Sequence, residues 1–484
     1  METPLMPHIV IFPFMAEGHT LPLLDLSKAL SSKNIKITII TTPSNSKSIL
    51  QKIENHPNIN LTAITFPTVD GLPEGCENTS QLPSFDLYLP FLISTKKLKE
   101  PFEQVLQSMK DSNALPVCVI SDFFLGFTLS VCQAYSVPRL VFHGMGVLSM
   151  SISKTAFVHA PHLESFNFSD RIDLPGLNLP FVLTKSDLPD GVVNAADLND
   201  PFIQFLSEVG EADINSWGII LNTFEELERS HIPPFEAFYN NGARAWCVGP
   251  LFLYGGYNNN NNKQYDNPSS TCCSAMITNW LNEQAVSPGS VIYVSFGTQA
   301  EVCEAQLDEV ALGLEESGHP FIWVVRSKTW NPPEGLEERI RGKGLIAREF
   351  VNQKEILWHR AVGGFLSHCG WNSVLESVTA GVPILAWPMI AEQNLNAKFV
   401  VEGLGAGVGM RINEWESKGN GSVSVWREGI CEGVKELMGG GEKGRNARER
   451  AEALGCVARR AVQEGGSSHR VLDQLIQQLI GSES

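Results

Sequence analysis

The segment SHCGWNSVLES (367–377) sets a histidine, an amide, three hydroxyls and a carboxylate around the junction of an apolar run and a helical pattern. The run reads as a strand ending near Cys369, Gly370 as the turn, and Trp371 as the start of a helix. Asn372 and Ser373 then fall on the first helical turn, where unpaired backbone N–H groups and the helix dipole attract an anion. His368, just before the turn, can donate to the same anion. Glu376 lies one turn beyond Asn372 on the same face. A carboxylate is repelled by phosphate but suits a ribose, which offers two hydroxyl donors. Glu392 and Gln393 follow the next apolar run and Pro388, and an acceptor carboxylate beside an amide suits a polyhydroxylated sugar. Taken singly, each residue fits equally a packed histidine or a helix cap. As a spaced set they describe a sugar-nucleotide site.

A second candidate lies near the start of the chain, in FPFMAEGHTLPLLDL. Thr20 reads as an N-cap with Pro22 in the first helical turn, where a missing N–H costs nothing. His19 then sits at a strand-to-helix junction. A helix N-terminus favours the neutral imidazole, the form a general base needs near pH 7. Asp122 ends the run VCVISD, where its carboxylate can face a site or cap the following helix. Read alone, His19 is better explained as a surface histidine beside a cap.

These residues need strands to position them. HIVIFPF (8–14), IKITIITT (35–42), INLTAITF (59–66), VCVISD (117–122), PRLVFH (138–143) and WGIILNT (217–223) alternate with amphipathic segments. Apolar strands separated by helices imply βαβ units and a parallel sheet. The pattern breaks at residues 251–273, where five consecutive asparagines sit among Gly, Ser and Pro, as in a linker or exposed loop. It restarts with SVIYVSFG (290–297), HPFIWVV (319–325), GLIAREF (344–350), VGGFLSHC (362–369) and PILAWP (383–388). The fold class is therefore α/β, with two sheets. In such sheets ligands sit beyond the carboxyl ends of the strands, where His19, Asp122 and His368 all fall.

Composition bounds the function. The 484 residues are 43% hydrophobic and 18% charged, which excludes disorder as the dominant state. A formal charge of −17 repels a phosphate backbone, so nucleic acid is not an expected partner. Ten scattered cysteines without a C-x-x-C pair suggest reduced thiols and a cytoplasmic protein. Neither a leader peptide nor a membrane-spanning run is expected from the sequence. Neither a D-x-D pair nor a histidine cluster suggests a metal.

The stretch from Phe350 to Gln393 closely resembles the signature box of plant secondary-product glycosyltransferases, which use UDP-sugars; it keeps HCGWNS, LES, AGVP and the terminal acidic–Gln pair. The rest of the chain is compatible with that family over nearly its full length. The resemblance implies a GT-B fold, two Rossmann-like parallel-sheet domains facing a cleft. The domains expected are 1–255 for the acceptor, 256–275 as linker, 276–465 for the UDP-sugar, and 466–484 as a helix returning to the N-terminal domain. Phe350 and Val351 would meet the uracil, and Gln353 and Glu376 the ribose. His368, Asn372 and Ser373 would hold the diphosphate, with Thr298 of VSFGT contributing. Trp371, Glu392 and Gln393 would contact the sugar, and Gln393 points to glucose. His19 would be the base and Asp122 the residue that orients it. The box departs from the family pattern at its first position, where Phe350 replaces the usual Trp.

The expected reaction is a single displacement with inversion, moving glucose from UDP-glucose to a hydroxyl of a lipophilic acceptor such as a flavonoid, phenolic or terpenoid. UDP-sugar is a co-substrate, no cofactor or metal is expected, and the protein is expected to act as a monomer. Phe14, Phe85, Phe123 and His143 are candidates for acceptor contact. The alternative is a non-catalytic UDP-sugar-binding relative, although such a protein needs no base. A nicotinamide enzyme would carry G-x-G-x-x-G after its first strand, where this chain reads PFMAEGHTLP.

Overall fold

The computed structural model describes residues 6–255, 272–300, 302–349, 351–411 and 425–481. The chain divides into two compact units. The first comprises Met1–Leu177, Asp190–Tyr257 and Arg460–Ser484, and the second Asn178–Pro189 and Asn258–Arg459.

The first unit is built on strands β1 (His8–Phe12), β2 (Lys36–Thr41), β3 (Ile59–Ala63), β4 (Cys118–Asp122), β5 (Arg139–His143), β6 (Gly218–Leu221) and β7 (Arg244–Cys247). They form one sheet in the order β3-β2-β1-β4-β5-β6-β7, every pairing parallel. The period of two along each strand explains why the runs are apolar throughout. Ile9 and Ile11 enter one core and Val10 and Phe12 the other, so both faces of β1 are buried. Chain order reverses between β1 and β4, and this is the switch point at which α/β sheets bind ligands.

The second unit repeats the plan with β8 (Val291–Ser295), β9 (Phe321–Val324), β10 (Gly344–Ala347), β11 (Val362–Ser367), β12 (Ile384–Ala386) and β13 (Gly407–Gly409). Their order is β10-β9-β8-β11-β12-β13, again parallel throughout, with the switch between β8 and β11. Ile292 and Val294 face one core, Val291 and Tyr293 the other. The eleven sequence-read strands are all present, shortened at their ends. The short edge strands β7 and β13 carried too little apolar run to be read.

The segment boundaries differ from expectation in three places. Residues 178–189 group with the second unit. There Lys398 pairs with Asp187 at 2.7 Å and donates to the Val182 carbonyl at 2.7 Å, ties that no periodic pattern announces. The expected linker is shorter at its end, because a helix begins at Cys272. The change of unit at 459–460 falls inside the helix Glu442–Ala461 rather than at Gly465. The last helix, Ser467–Gly481, inserts Leu472, Leu475 and Leu479 into the core shared with β1 and β2. Ser468 Oγ fixes its start by donating to the Gly249 carbonyl at 2.6 Å.

Eight cysteines among the described residues are free thiols. Among the described residues no helix is long and apolar enough to cross a membrane.

Candidate active site

His19 and Asp122 meet. Nδ1 of His19 lies 2.8 Å from Oδ2 of Asp122, with the Asp122 side chain wholly buried and the imidazole 25% exposed. The sheet order makes this possible: β1 leads into the helix Glu17–Ser31 that carries His19, and Asp122 ends the adjacent strand β4. A buried carboxylate must be hydrogen-bonded to be tolerated. The second oxygen, Oδ1, accepts from the Phe124 backbone N–H at 3.0 Å. The carboxylate is thus held from both sides, and it fixes the imidazole with the Nδ1 proton toward itself.

The helix begins earlier than Thr20, the expected cap. Its N-cap is Ala16, which accepts from the Thr20 N–H at 2.8 Å, while the Thr20 hydroxyl donates to the Phe14 carbonyl at 3.1 Å. His19 is therefore in the first helical turn, and Pro22 lies inside the helix.

The four acceptor candidates separate. Phe14 is fully buried and reaches the pair only through its ring, whose centre is 5.3 Å from that of His19. Phe85 is exposed and stacks on Tyr88. Phe123 is partly buried between Phe124 and His143. His143 is a correction: it is 1% exposed and belongs to a closed polar network. Its Nε2 lies 3.0 Å from Asp213 Oδ1, and the Tyr239 hydroxyl and Lys154 ammonium also donate to Asp213. Burial by itself would raise the Asp213 carboxyl, but Lys154 and His143 outweigh it and hold the group well below the usual carboxylate range. Sequence reading missed this network. Its signal was present, since Lys154 and Asp213 each interrupt an apolar helical face.

The second unit gathers most of the remaining candidates around the end of β11. The strand stops at Ser367, and Cys369 takes a left-handed φ of 64°. Gly370 then caps the helix Trp371–Ala380 without any side-chain cap bond. His368 is held between two glycines: a Cβ on Gly297 or on Gly370 would fall 2.6 Å from its Nε2. Both positions therefore exclude any side chain. Gly297 follows β8, so the switch point of this sheet frames the imidazole from both strands. Burial pushes the His368 imidazole down to about 4, opposed in part by a hydrogen bond with the Ser295 backbone. It is a neutral N–H donor at pH 7. Cys369 beside it is inert, because burial pushes its thiol up to about 12.

Gln353, Ser373 and Glu376 form one cluster. The Gln353 amide donates to Ser373 Oγ at 2.9 Å and to Glu376 Oε2 at 2.8 Å, while its oxygen accepts from the Tyr293 hydroxyl at 3.2 Å. Asn372 shares the first helical turn. Trp371 is 2% exposed, its ring packed inward. Glu392 is held by Asn396, whose amide also donates to the Cys369 carbonyl at 3.0 Å and so ties the two turns together. Asn396 was not among the sequence candidates. Gln393 is 7% exposed, and its Oε1 accepts from the Met389 and Ile390 N–H groups at 3.0 Å each. Those two bonds settle which end of the amide is which and leave Nε2 as the end available to a ligand. Thr298 lies exposed in the turn after β8, and Val351 is partly buried against the core that includes Tyr293, Ile356 and Leu357. Phe350 lies outside the described residues. Among the described residues no group of three or more His, Cys, Asp or Glu is placed to hold a metal ion.

Residues 273–422 match the family model described as "UDP-glucoronosyl and UDP-glucosyl transferase". The chain is similar to UDP-glycosyltransferase 73B4 of Arabidopsis thaliana, 37% identical over 497 residues with 98% of both chains covered. It is also similar to scopoletin glucosyltransferase of Nicotiana tabacum, 36% identical over 480 residues with 98% of both covered. Among solved structures, Glycyrrhiza uralensis UGT73P12 complexed with glycyrrhetinic acid 3-O-monoglucuronide matches with a TM-score of 0.85 at 27% identity, covering 98% of this chain and 96% of that one. Phytolacca americana UGT2 complexed with UDP-2fluoro-glucose and pterostilbene matches with a TM-score of 0.78 at 28% identity, covering 98% and 99%.

The buried imidazole makes stability depend on pH. His368 has a folded pKa of about 4 against 6.5 for the ordinary side chain, so below pH 6.5 the unfolded chain takes up a proton that the folded chain refuses. Stability is therefore expected to fall as pH drops from 6.5 toward 4. Urea denaturation followed across that range should show a shallower fall for His368→Asn than for the wild-type chain.

Proposed function

The chain belongs to the UDP-glycosyltransferase family, and from that premise we propose that it moves glucose from UDP-glucose, with inversion, to a hydroxyl of a phenolic or terpenoid small molecule. The observation that carries the reading is the 2.8 Å bond between His19 Nδ1 and the buried Asp122 carboxylate. A protein that only bound a UDP-sugar would have no use for it.

In this reading His19 is the general base. With the Nδ1–H donating to the Asp122 carboxylate, Nε2 carries the lone pair that takes the proton from the acceptor hydroxyl. The acceptor oxygen forms a bond to the anomeric carbon as the bond from that carbon to the phosphate oxygen breaks, and UDP leaves with the electron pair. Asp122 stabilises the imidazolium as it forms, as the aspartate of a catalytic triad does. Negative charge grows on the diphosphate, and the start of the helix Trp371–Ala380, with His368, Asn372 and Ser373, is suited by its dipole to receive it. Thr298 adds a hydroxyl from the turn after β8. Gln353 and Glu376 are assigned to the ribose, and Trp371, Glu392 and Gln393 to the sugar. The roles of Phe350 and Val351 toward uracil rest on the family resemblance alone. The step as written calls on no metal. We take the enzyme to work as a monomer and to be cytoplasmic, the latter supported by the free, mostly buried cysteines among the described residues.

A tobacco relative is named for scopoletin, which makes that phenol the first acceptor to try. Incubated with UDP-glucose and scopoletin, the protein is expected to release UDP and yield a product heavier by one hexose. His19→Ala should lower turnover by about 10²–10⁴-fold while UDP affinity, measured by titration, stays within about twofold. Retention of more than about a tenth of the activity would remove His19 from the mechanism.

Gln393 gives a sharper test of sugar reading. Gln393→Glu keeps an oxygen for the Met389 and Ile390 N–H groups but deletes the Nε2 donor. UDP-glucose kcat/KM is expected to fall by about tenfold or more, with inhibition by UDP unchanged. An unaltered kcat/KM would mean that Gln393 does not touch the sugar.

A further inference from the structure

Arg139 is a charged residue in an otherwise apolar strand run, and it is 1% exposed. It opens β5 opposite Val119, and its side chain extends along β4 toward that strand's carboxyl end. Nε donates to Ser121 Oγ at 2.8 Å and to Thr128 Oγ1 at 2.9 Å. Nη1 donates to Ser216 Oγ at 2.7 Å and to the Ala212 carbonyl at 3.3 Å, and Nη2 to the Asp122 carbonyl at 3.3 Å. Each of these partners is neutral. A buried cation is costly unless negative charge lies near it. Here that charge comes from Asp122, from Asp213, and from the carboxyl end of the helix Pro201–Ile214 that carries Ala212.

We propose that Arg139 is a positioning residue for the His19–Asp122 pair: it grips the carbonyl of the residue whose carboxylate orients the base, and it sets a permanent positive charge beside that carboxylate. The mechanical part follows from the bonds. The Asp122 carbonyl is held by Arg139 and by the Leu125 N–H at 3.1 Å, so the turn that aims the carboxylate is fixed at its root. The electrostatic part follows from Coulomb's law. A cation near the pair disfavours a second positive charge on His19 and so keeps the base unprotonated to lower pH. The titratable groups around Arg139 are Asp122 on β4, Cys132 on the helix Thr128–Ala134, Asp213 on the helix Pro201–Ile214, and Tyr239. Asp213 is paired with Lys154 and His143, and Asp122 with His19 and the Phe124 N–H. Glu17 shares the first turn of the His19 helix.

The inference rests on the proposed glucosyl transfer, so the full chain is assayed with UDP-glucose and scopoletin from about pH 5 to 9 as wild type, Arg139→Met and Arg139→Lys. A wild type that transfers no glucose would defeat the functional reading and not this one. Ionisation of the acceptor is common to all three proteins, so differences between their profiles belong to the enzyme. Arg139→Met is expected to lower kcat and move the acid limb of kcat/KM up by about half a pH unit or more, with the KM for UDP-glucose unchanged. Arg139→Lys is expected to leave the limb in place and lower kcat severalfold, because one ammonium cannot span five acceptors. A folded Arg139→Met protein with its acid limb unmoved would overturn the proposal. If Arg139→Met does not fold, Arg139→Lys decides: a reduced kcat with the limb in place supports the proposal, and a wild-type kcat overturns it.

Discussion

The hydrogen bond from His19 to Asp122 is the constraint from which the rest of the first unit can be understood. It joins residues separated by 103 positions in the chain and forms because β1 and β4 are neighbours. That adjacency is the switch point of the sheet, where connections leave in opposite directions and the strand ends stay uncovered. A sheet with another strand order would keep the same residues and lose the pair. The second unit solves its own problem in the same way. The turn after β8 supplies Gly297, the turn after β11 supplies His368 and Gly370, and the two glycines leave room for one imidazole between them.

Polar groups placed at strand ends inside apolar cores must be satisfied, and much of the unusual chemistry of the first unit serves that end. Asp122 is held by His19 and by a backbone N–H, and its carbonyl by Arg139. Asp213 is held by Lys154, His143 and Tyr239. Both sets draw on the last turns of the helix Pro201–Ile214, through Ala212 and Asp213. Removing one member of such a set leaves a buried charge without compensation, which is commonly worth about 3–5 kcal/mol. Residues that never meet a substrate are therefore bound to the geometry of those that do.

The fold class and the site were legible in the sequence to different depths. Eleven strands announced themselves as β-rich, mostly apolar runs, whereas β7 and β13, of four and three residues, did not. The box from Phe350 to Gln393 was legible because an anion site at a helix start needs small and polar residues at fixed offsets. What stayed hidden depended on three-dimensional neighbours. His143 looked available for an acceptor because the end of a parallel strand usually is; only the fold reveals Asp213 against it. The start of the helix at Glu17 was masked by Thr20, whose hydroxyl turns back to the Phe14 carbonyl rather than capping. Gln393 was read as a sugar contact, but that its oxygen is already taken by two backbone donors follows only from the turn around Ala391, where φ is 54°.

The central claim is that Asp122 acts by making His19 a better base. The measurement that bears on it most directly compares wild type with Asp122→Asn over a series of acceptors whose hydroxyls differ in acidity. An asparagine can hold the imidazole near its place but favours the wrong tautomer and cannot stabilise the imidazolium. The ratio of wild-type to variant kcat/KM should therefore rise steadily as the acceptor hydroxyl becomes less acidic, since a less acidic hydroxyl needs more help to lose its proton. A ratio that stays the same from the most to the least acidic acceptor, in a variant confirmed to be folded, would contradict the account and leave Asp122 as a structural residue of the sheet.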